Sequence, residues 1–280
     1  MDGMCKGRKF LSFTQAVSAH VPVEMLEDMR NMKIVHWEAG SWPPTYTPSA
    51  ALLYAIVHGH QAYAQYLLNK FLDGALAMTG KNVCGCQSYV PHLDMAIRYN
   101  RKDIVPLILH VAHKIPTLWS YVIRGGCKHM KEGRTTLHLA CAMSQPETVI
   151  MLLGSGASPQ AKADDGVTPL DLILKKLQMS KGNTRVKMLC LERLLMFMPE
   201  VRFQMKSSLN NDPEYWSKVL GEEMFNYLVG RIPGTLFLIA MQKTLAQLPS
   251  QDFFKRLDEL PIPASLKPIT SQPLMRWNSY

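Results

Sequence analysis

The stretch GRTTLHLACAMSQPETVIMLLGSGASP, residues 133–159, decides the fold of this 280-residue chain because its opening recurs downstream. The later segment GVTPLDLIL, residues 166–174, repeats the spacing, with Gly166 in the place of Gly133. Leu170 stands in the place of Leu137, so both pairs have the same separation in sequence. A fixed period of about 33 residues indicates a stack of small structural repeats, each of which buries its apolar face against its neighbours.

Two earlier segments fit the same template. ALLYAIVHGHQAYAQYLL aligns from Leu52 and HLDMAIRYNRKDIVPLIL aligns from Leu93. Each has alanine three residues after the starting leucine, at Ala55 and Ala96. Four repeat starts therefore stand at 52, 93, 137 and 170, and we expect helices to begin near residues 50, 91, 135 and 168.

This pattern resembles the ankyrin repeat, with its TPLHxA turn, its LLxxGA ending and its period of about 33 residues. The resemblance implies an all-α solenoid, with about four ankyrin repeats over residues 47–200. The first two intervals are longer than this period, which predicts two enlarged loops, within 69–90 and within 110–134. N-terminal capping helices are expected over residues 1–46, with a break near Pro22, and a capping helix is expected over residues 201–231.

The enlarged loops are the predicted client-binding region, because loops on a rigid scaffold commonly carry recognition. Their small cysteine-containing tips give Cys84, Cys86 and Cys127 as candidate client contacts. An alternative is a zinc site that also uses His92 and His129, although His92 is equally explained by packing in a TPLH-like turn. We expect no bound metal.

Composition argues against several other classes. The chain has 31 Lys and Arg against 22 Asp and Glu, a net charge of +9, but no recognition motif for nucleic acid accompanies the bases. No apolar run approaches the roughly 20 residues that a membrane-spanning helix needs. No phosphate-binding glycine loop or nucleophile motif is present, so we expect no catalytic residue, no cofactor and no enzyme activity.

The His138 and Cys141 pair is better explained by packing than by catalysis. Both residues lie in the TPLH-like turn and first helix of the third repeat, where small side chains are buried. A reactive cysteine needs an exposed, electropositive setting. Six cysteines without a secretory signal predict reduced thiols, and therefore a protein of the cytosol or the nucleus. Of these two we expect the cytoplasm, with cytosolic puncta as a separate expectation that the cysteines do not establish.

The C-terminal segment, residues 232–280, carries a second pattern. TLFLIAMQKTL from Thr235 predicts one helix, QDFFKRLDEL predicts another, and LPIP follows at residues 260–263. This order resembles a SOCS box, in which a helix contacts elongin C and a Leu-Pro-hydrophobic-Pro element contacts cullin 5. The resemblance implies elongin contacts at Thr235, Leu236 and Ala240, where cysteine is usual at the last position.

The same resemblance implies cullin contacts through the LPIP element, by four residues: Leu260, Pro261, Ile262 and Pro263. Thr244 replaces the usual final apolar residue of the elongin helix, and Leu245 lies just beyond it. An apolar strap that packs on its own protein is the alternative for the whole segment. Such a strap needs no partner.

Together the repeats and the C-terminal segment predict a non-catalytic substrate receptor of a cullin-RING ubiquitin ligase, assembled with elongin B/C and cullin 5. The family that the chain resembles, ankyrin-repeat proteins with a SOCS-box-like C-terminus, implies inosine monophosphate dehydrogenase as a candidate client. The alternative function is an ankyrin scaffold or inhibitor that binds an enzyme without ubiquitin transfer.

Overall fold

The computed structural model describes residues 11–31, 46–77, 91–116, 119, 133–179 and 182–268, and the regular structure in these ranges is helical. The described helices are α1 (Phe13–Ser18), α2 (Val23–Arg30), α3 (Pro48–His58), α4 (Gln61–Phe71), α5 (Asp73–Leu76), α6 (Pro91–Arg98), α7 (Val105–His113), α8 (Thr136–Ala142), α9 (Pro146–Gly154), α10 (Pro169–Met179), α11 (Thr184–Leu195), α12 (Lys206–Asn211), α13 (Pro213–Leu220), α14 (Glu222–Val229), α15 (Leu236–Ala246) and α16 (Phe253–Glu259). No strand occurs in the described ranges. The predicted all-α class is confirmed.

The repeats stack as two rows of helices. The first helices of successive repeats, α3, α6, α8 and α10, contact one another in order, and the second helices, α4, α7, α9 and α11, do the same. The four first helices begin at Pro48, Pro91, Thr136 and Pro169, each within two residues of its predicted start. One continuous apolar core joins the N-terminal helices to the helices that follow the last repeat.

Local sequence explains both the helix starts and the close packing. At the third repeat Thr135 and His138 form a reciprocal capping box, so each side chain satisfies a backbone amide at the start of α8. The alanines three residues into each motif, Ala55, Ala96 and Ala140, are fully buried where neighbouring helices meet. A larger side chain has no space there.

The N-terminal end is closed by α1 and α2, which pack against α3 and α4. Pro22 lies between them and is the N-cap residue of α2, as the predicted break requires. Glu27 on α2 accepts hydrogen bonds from Arg30 at 2.6 and 2.9 Å and from the Tyr63 hydroxyl group of α4 at 2.9 Å. This buried network connects the N-terminal helices to the first repeat.

The single capping helix expected over residues 201–231 is instead three short helices, α12, α13 and α14. Gly221 has φ 83° and ψ 150°, far from helical values, and separates α13 from α14. Asp212 starts α13 by accepting a hydrogen bond from the Tyr215 backbone amide. Trp216 and Phe225 are each 1% exposed and carry the core beyond the last repeat.

The C-terminal helices form a second apolar cluster against the end of the stack. Its buried members are Met196, Met241, Leu245, Phe253 and Leu257. Among the helices described, none is both long and apolar enough to cross a bilayer.

Candidate protein-binding surfaces

Helix α15, the predicted elongin helix, begins with a side-chain cap. Thr235 is the N-cap residue, and its hydroxyl oxygen accepts a hydrogen bond from the Leu238 backbone amide at 3.1 Å. The side chain of Thr235 therefore sets where the helix starts. The next two residues, Leu236 and Phe237, form its first exposed turn.

The two faces of α15 differ in their contacts. On one face Met241 and Leu245 are buried, and the Gln242 side-chain amide donates to the carbonyl oxygens of Leu195 and Met198 at 2.9 Å each. These contacts hold the helix against the end of α11 and the turn after it.

The side of the helix that carries Leu236 and Ala240 is open. Leu236 is 85% exposed, and Ala240, one turn later, is also exposed, whereas Phe237, 43% exposed, lies one turn before Met241 at the edge of the packed face. A leucine this exposed at the start of a capped helix leaves apolar surface available to a partner. The structure thus brings Leu236 and Ala240 onto one accessible face.

The end of the predicted elongin helix differs from a fully apolar face. Thr244 is partly buried, and its hydroxyl group donates to the Ala240 carbonyl oxygen at 2.9 Å. Leu245, the next apolar residue, is 3% exposed and belongs to the protein's own core. Only the first two turns of α15 therefore offer apolar contact surface.

The LPIP element alternates between packing and exposure. Leu260 and Ile262 are partly buried against the second apolar cluster, while Pro261 and Pro263 are exposed. Pro263 has φ −52° and ψ 140°, an extended conformation. The leucine and isoleucine hold the element on its own protein, and the two prolines remain accessible.

Helix α16 is positioned by a close approach to the third repeat. The Phe253 ring is 2% exposed and lies against Gly154 on α9, where a Cβ atom would overlap the ring. The absence of a side chain at Gly154 thus forms the seat for this aromatic ring. Sequence reasoning missed this contact, because a glycine near the end of a helix is common and does not itself indicate an aromatic neighbour.

The predicted client contacts Cys84, Cys86 and Cys127 lie outside the described residues, as does His129. His92, which the zinc alternative also uses, is fully buried, and its Nε2 atom lies 3.0 Å from the Ser49 carbonyl oxygen. Burial lowers the pKa of His92 to about 4, so its ring is neutral at pH 7. In the described parts of the chain no group of three potential metal ligands occurs.

The His138 and Cys141 pair is part of the core. His138 is fully buried and its Nε2 atom lies 3.0 Å from the Val167 carbonyl oxygen, while Cys141 is 1% exposed. Burial raises the pKa of the Cys141 thiol well above its usual value. A buried, protonated thiol is a poor nucleophile, in agreement with the packing interpretation.

A second surface, which the sequence analysis did not identify, runs along the first helices of the repeats. In the first three repeats the position two residues after the starting leucine holds Tyr54, Met95 and Leu139, all partly buried and apolar. Farther along, Tyr99 is 45% exposed and Met143 is 46% exposed. Because the first helices stack in order, these side chains occupy matching positions on successive helices, and we call this set the first-helix row.

Comparisons with known proteins agree with the repeat architecture. A family model described as Ankyrin repeat matches residues 132–164. The chain is 34% identical over 293 residues to Ankyrin repeat domain-containing protein 9 of Mus musculus, covering 95% of this chain and 90% of that protein.

A shorter similarity, 49% identity over 41 residues, relates 15% of the chain to 8% of BTB/POZ domain and ankyrin repeat-containing protein NOOT2 of Medicago truncatula. That similarity covers about one repeat. The mouse similarity extends far beyond the repeats, since it includes nearly the whole chain.

Proposed function

The chain belongs to the ankyrin-repeat family of Ankyrin repeat domain-containing protein 9, and from that premise we propose that it is a substrate receptor of a cullin-RING ubiquitin ligase. In this function the repeats bind a client protein, α15 binds elongin B/C, and LPIP contacts cullin 5. The receptor itself is non-catalytic and acts in the cytoplasm.

The observation that carries the proposal is the exposed apolar turn at the start of α15. Leu236 is 85% exposed, although the opposite face of the helix is packed against the molecule. An amphipathic helix that presents leucine outward is suited to a groove on a partner protein. Because the packed face is anchored through Gln242, the leucine is presented on a fixed support.

The LPIP element supports the cullin half of the proposal. Leu260 follows Thr235 at a separation similar to that of the SOCS box. Pro261 and Pro263 are exposed on a segment that the packing of Leu260 and Ile262 already holds in place. A segment held in its binding conformation loses little entropy when a partner docks.

The elongin half is tested by Leu236→Lys in the full chain, with co-purification of elongin B/C as the readout. We expect elongin to be lost, because a charge placed in an apolar groove is desolvated without a partner. The fold should be unaffected, since the leucine is 85% exposed. Met179→Lys is the matched control, because Met179 is 74% exposed on a different helix.

The cullin half is tested by Pro261→Ala combined with Pro263→Ala. We expect elongin B/C to be retained and cullin 5 to be weakened, because the extended segment gains conformational freedom. If cullin 5 binding is unchanged while Leu236→Lys removes elongin, LPIP is not the cullin contact.

The scaffold or inhibitor alternative is favoured by one observation, the packing of Leu260 and Ile262 on the protein's own apolar cluster. In that function residues 260–263 serve as an intramolecular strap. Co-purification that recovers a client but no elongin B/C or cullin from the unaltered chain would select this alternative.

For the client, we propose that the first-helix row acts together with the loops that carry Cys84, Cys86 and Cys127. The row supplies aligned apolar side chains on a rigid support, which suits a protein surface. Inosine monophosphate dehydrogenase is the first client to test.

A further inference from the structure

A groove beside the start of α15 includes Thr235 and Phe237 in its lining, but neither Leu236 nor Ala240. It lies between α11, α14 and α15 and has a volume of about 450 Å³. Its apolar lining is formed chiefly by Met188, Met196, Leu220, Met224, Tyr227 and Phe237. The groove is large enough for two or three large apolar side chains, and methionine side chains adapt readily to the shape of such a ligand.

The rim of this groove is acidic. Glu192 on α11 and Glu222 and Glu223 at the start of α14 line it. Glu222 and Glu223 are exposed, and neither forms an ion pair with another residue in the parts of the chain that the structure describes. Both stabilise α14 through its helix dipole. In a chain of net charge +9, an apolar groove with an acidic rim selects a ligand that is apolar and basic.

The chain itself carries such a ligand sequence a few residues beyond the last described residue. Residues 273–277 read Pro-Leu-Met-Arg-Trp, three large apolar side chains with one arginine. Two of the apolar residues flank Arg276 directly. This composition complements both the lining and the rim of the groove.

The end of the described chain lies close to the groove. Pro268 is buried and lines a neighbouring pocket with Leu189 and Arg193 of α11. Met188 and Glu192, the residues directly before these two on the same helix, line the groove. Neighbouring residues of a helix project from different sides of a cylinder about 10 Å wide. The pocket that contains Pro268 and the groove are therefore separated by about 10 Å around the surface of α11.

The intervening chain is long enough to cover this distance. Leu274 stands six positions after Pro268 in the sequence, and an extended chain covers about 20 Å in that length. We propose that residues 273–277 of this chain bind in the groove between α11, α14 and α15, with Arg276 at the acidic rim. The proposal does not require elongin to bind.

Photo-crosslinking within the full-length chain tests the proposal. A benzophenone amino acid in place of Trp277 should, on irradiation, form an intramolecular crosslink to the peptide that contains Met188 or to the peptide that contains Met224. Mass spectrometry of the digest identifies the product. Crosslinks that map outside the groove, or that join two chains in a concentration-dependent manner, would overturn the proposal.

Charge reversal provides the second measurement. Arg276→Glu should lower the crosslink yield at least about threefold, because attraction at the rim becomes repulsion. Glu222→Lys with Glu223→Lys should do the same, and combining all three changes should restore the yield. Arg276→Glu leaves every groove residue unchanged, so its effect does not depend on the stability of the rim variant.

Glu214→Lys is the matched control, because Glu214 is an exposed acid in the first turn of α13, outside the groove lining. It should leave the crosslink yield unchanged. A yield that is insensitive to the charges at Arg276, Glu222 and Glu223 would show that residues 273–277 do not bind at the rim, and would leave the groove to another protein.

Discussion

At the scale of single residues, Gly154 decides how the C-terminal segment attaches to the repeats. Its missing side chain admits the Phe253 ring, and Phe253 in turn contributes to the cluster against which Leu260 and Ile262 pack. The position of LPIP therefore depends on a glycine in the third repeat, far earlier in the chain. A motif search confined to residues 232–280 cannot find this dependence.

We predict that Gly154→Ala lowers the free energy of unfolding by about 1–3 kcal/mol, because the new methyl group overlaps the buried ring. Chemical denaturation measures the change. Gly74→Ala is the control, since a Cβ atom there meets only the Phe71 Cβ atom, at 3.9 Å. An equal loss in both variants would contradict the role assigned to Gly154.

Glu27 provides a prediction on pH. Burial alone raises the pKa of its carboxyl group, but the hydrogen bonds from Arg30 and Tyr63 outweigh this effect and lower the pKa below 4.5. The unfolded chain therefore takes up this proton at a higher pH than the folded chain does. The stabilisation from Glu27 is present above about pH 4.5 and is lost as the pH falls through the lowered pKa.

We expect Glu27→Gln to lower the free energy of unfolding at pH 7 by about 3 kcal/mol or more, because Arg30, only 8% exposed, is left without its charged partner. The difference from the unaltered protein should shrink as the pH falls below about 4.5, because Glu27 then takes up a proton in the unfolded chain before it does so in the folded chain. Urea midpoints at pH 7 and pH 4 measure both effects. A difference that stays constant with pH would show that the carboxylate charge is not responsible.

At the scale of helices, the sequence predicts what depends on local periodicity. The four first helices were placed within two residues of their observed starts because the repeated leucine and alanine positions are set by the packing of each helix against the next. The boundary between α13 and α14 was not predicted. One capping helix was expected over residues 201–231, and Gly221, whose backbone conformation ends α13, lies within that range.

The candidate surfaces were also predictable only where they depend on local helical spacing. The outward position of Leu236 follows from helical spacing once Met241 and Leu245 are assigned to the core. The seat of Phe253 on Gly154 and the groove beside α15 arise from contacts between segments distant in sequence. One sequence alone gives no spacing from which such contacts can be read.

Helix α6 provides a test of the repeat register. Ala96 is fully buried where the first helices meet, so Ala96→Leu should overpack this contact and lower the free energy of unfolding by about 1–3 kcal/mol. Ala246→Leu is the control, because Ala246 is exposed at the end of α15. The denaturation midpoint should fall only in the first variant, and an unchanged midpoint would contradict the placement of Ala96.

At the scale of the whole molecule, the two rows of helices separate the two proposed binding functions. The C-terminal segment attaches to the row of second helices, through Gly154 on α9 and through the turn that follows α11. The first-helix row belongs to the other set of helices. A client and a ligase can therefore use different sides of one rigid stack.

This separation leads to the final prediction. Tyr99→Ala combined with Met143→Ala should weaken client capture and leave elongin B/C bound, because both side chains are nearly half exposed on the first-helix row. Leu236→Lys should remove elongin B/C and leave client capture unchanged. Co-purification of inosine monophosphate dehydrogenase and elongin B/C from the same cells measures both partners at once.

The loop cysteines form a third arm of the same experiment. Cys84→Ser combined with Cys86→Ser should weaken the client if the first enlarged loop contributes, and should also spare elongin. If the loop variant removes the client while Tyr99→Ala with Met143→Ala retains it, recognition belongs to the loop and the first-helix row is not the client surface. If every variant removes both partners together, the two binding functions are not separable. Loss of the fold then explains the result, and the denaturation midpoints of the same variants would show that loss directly.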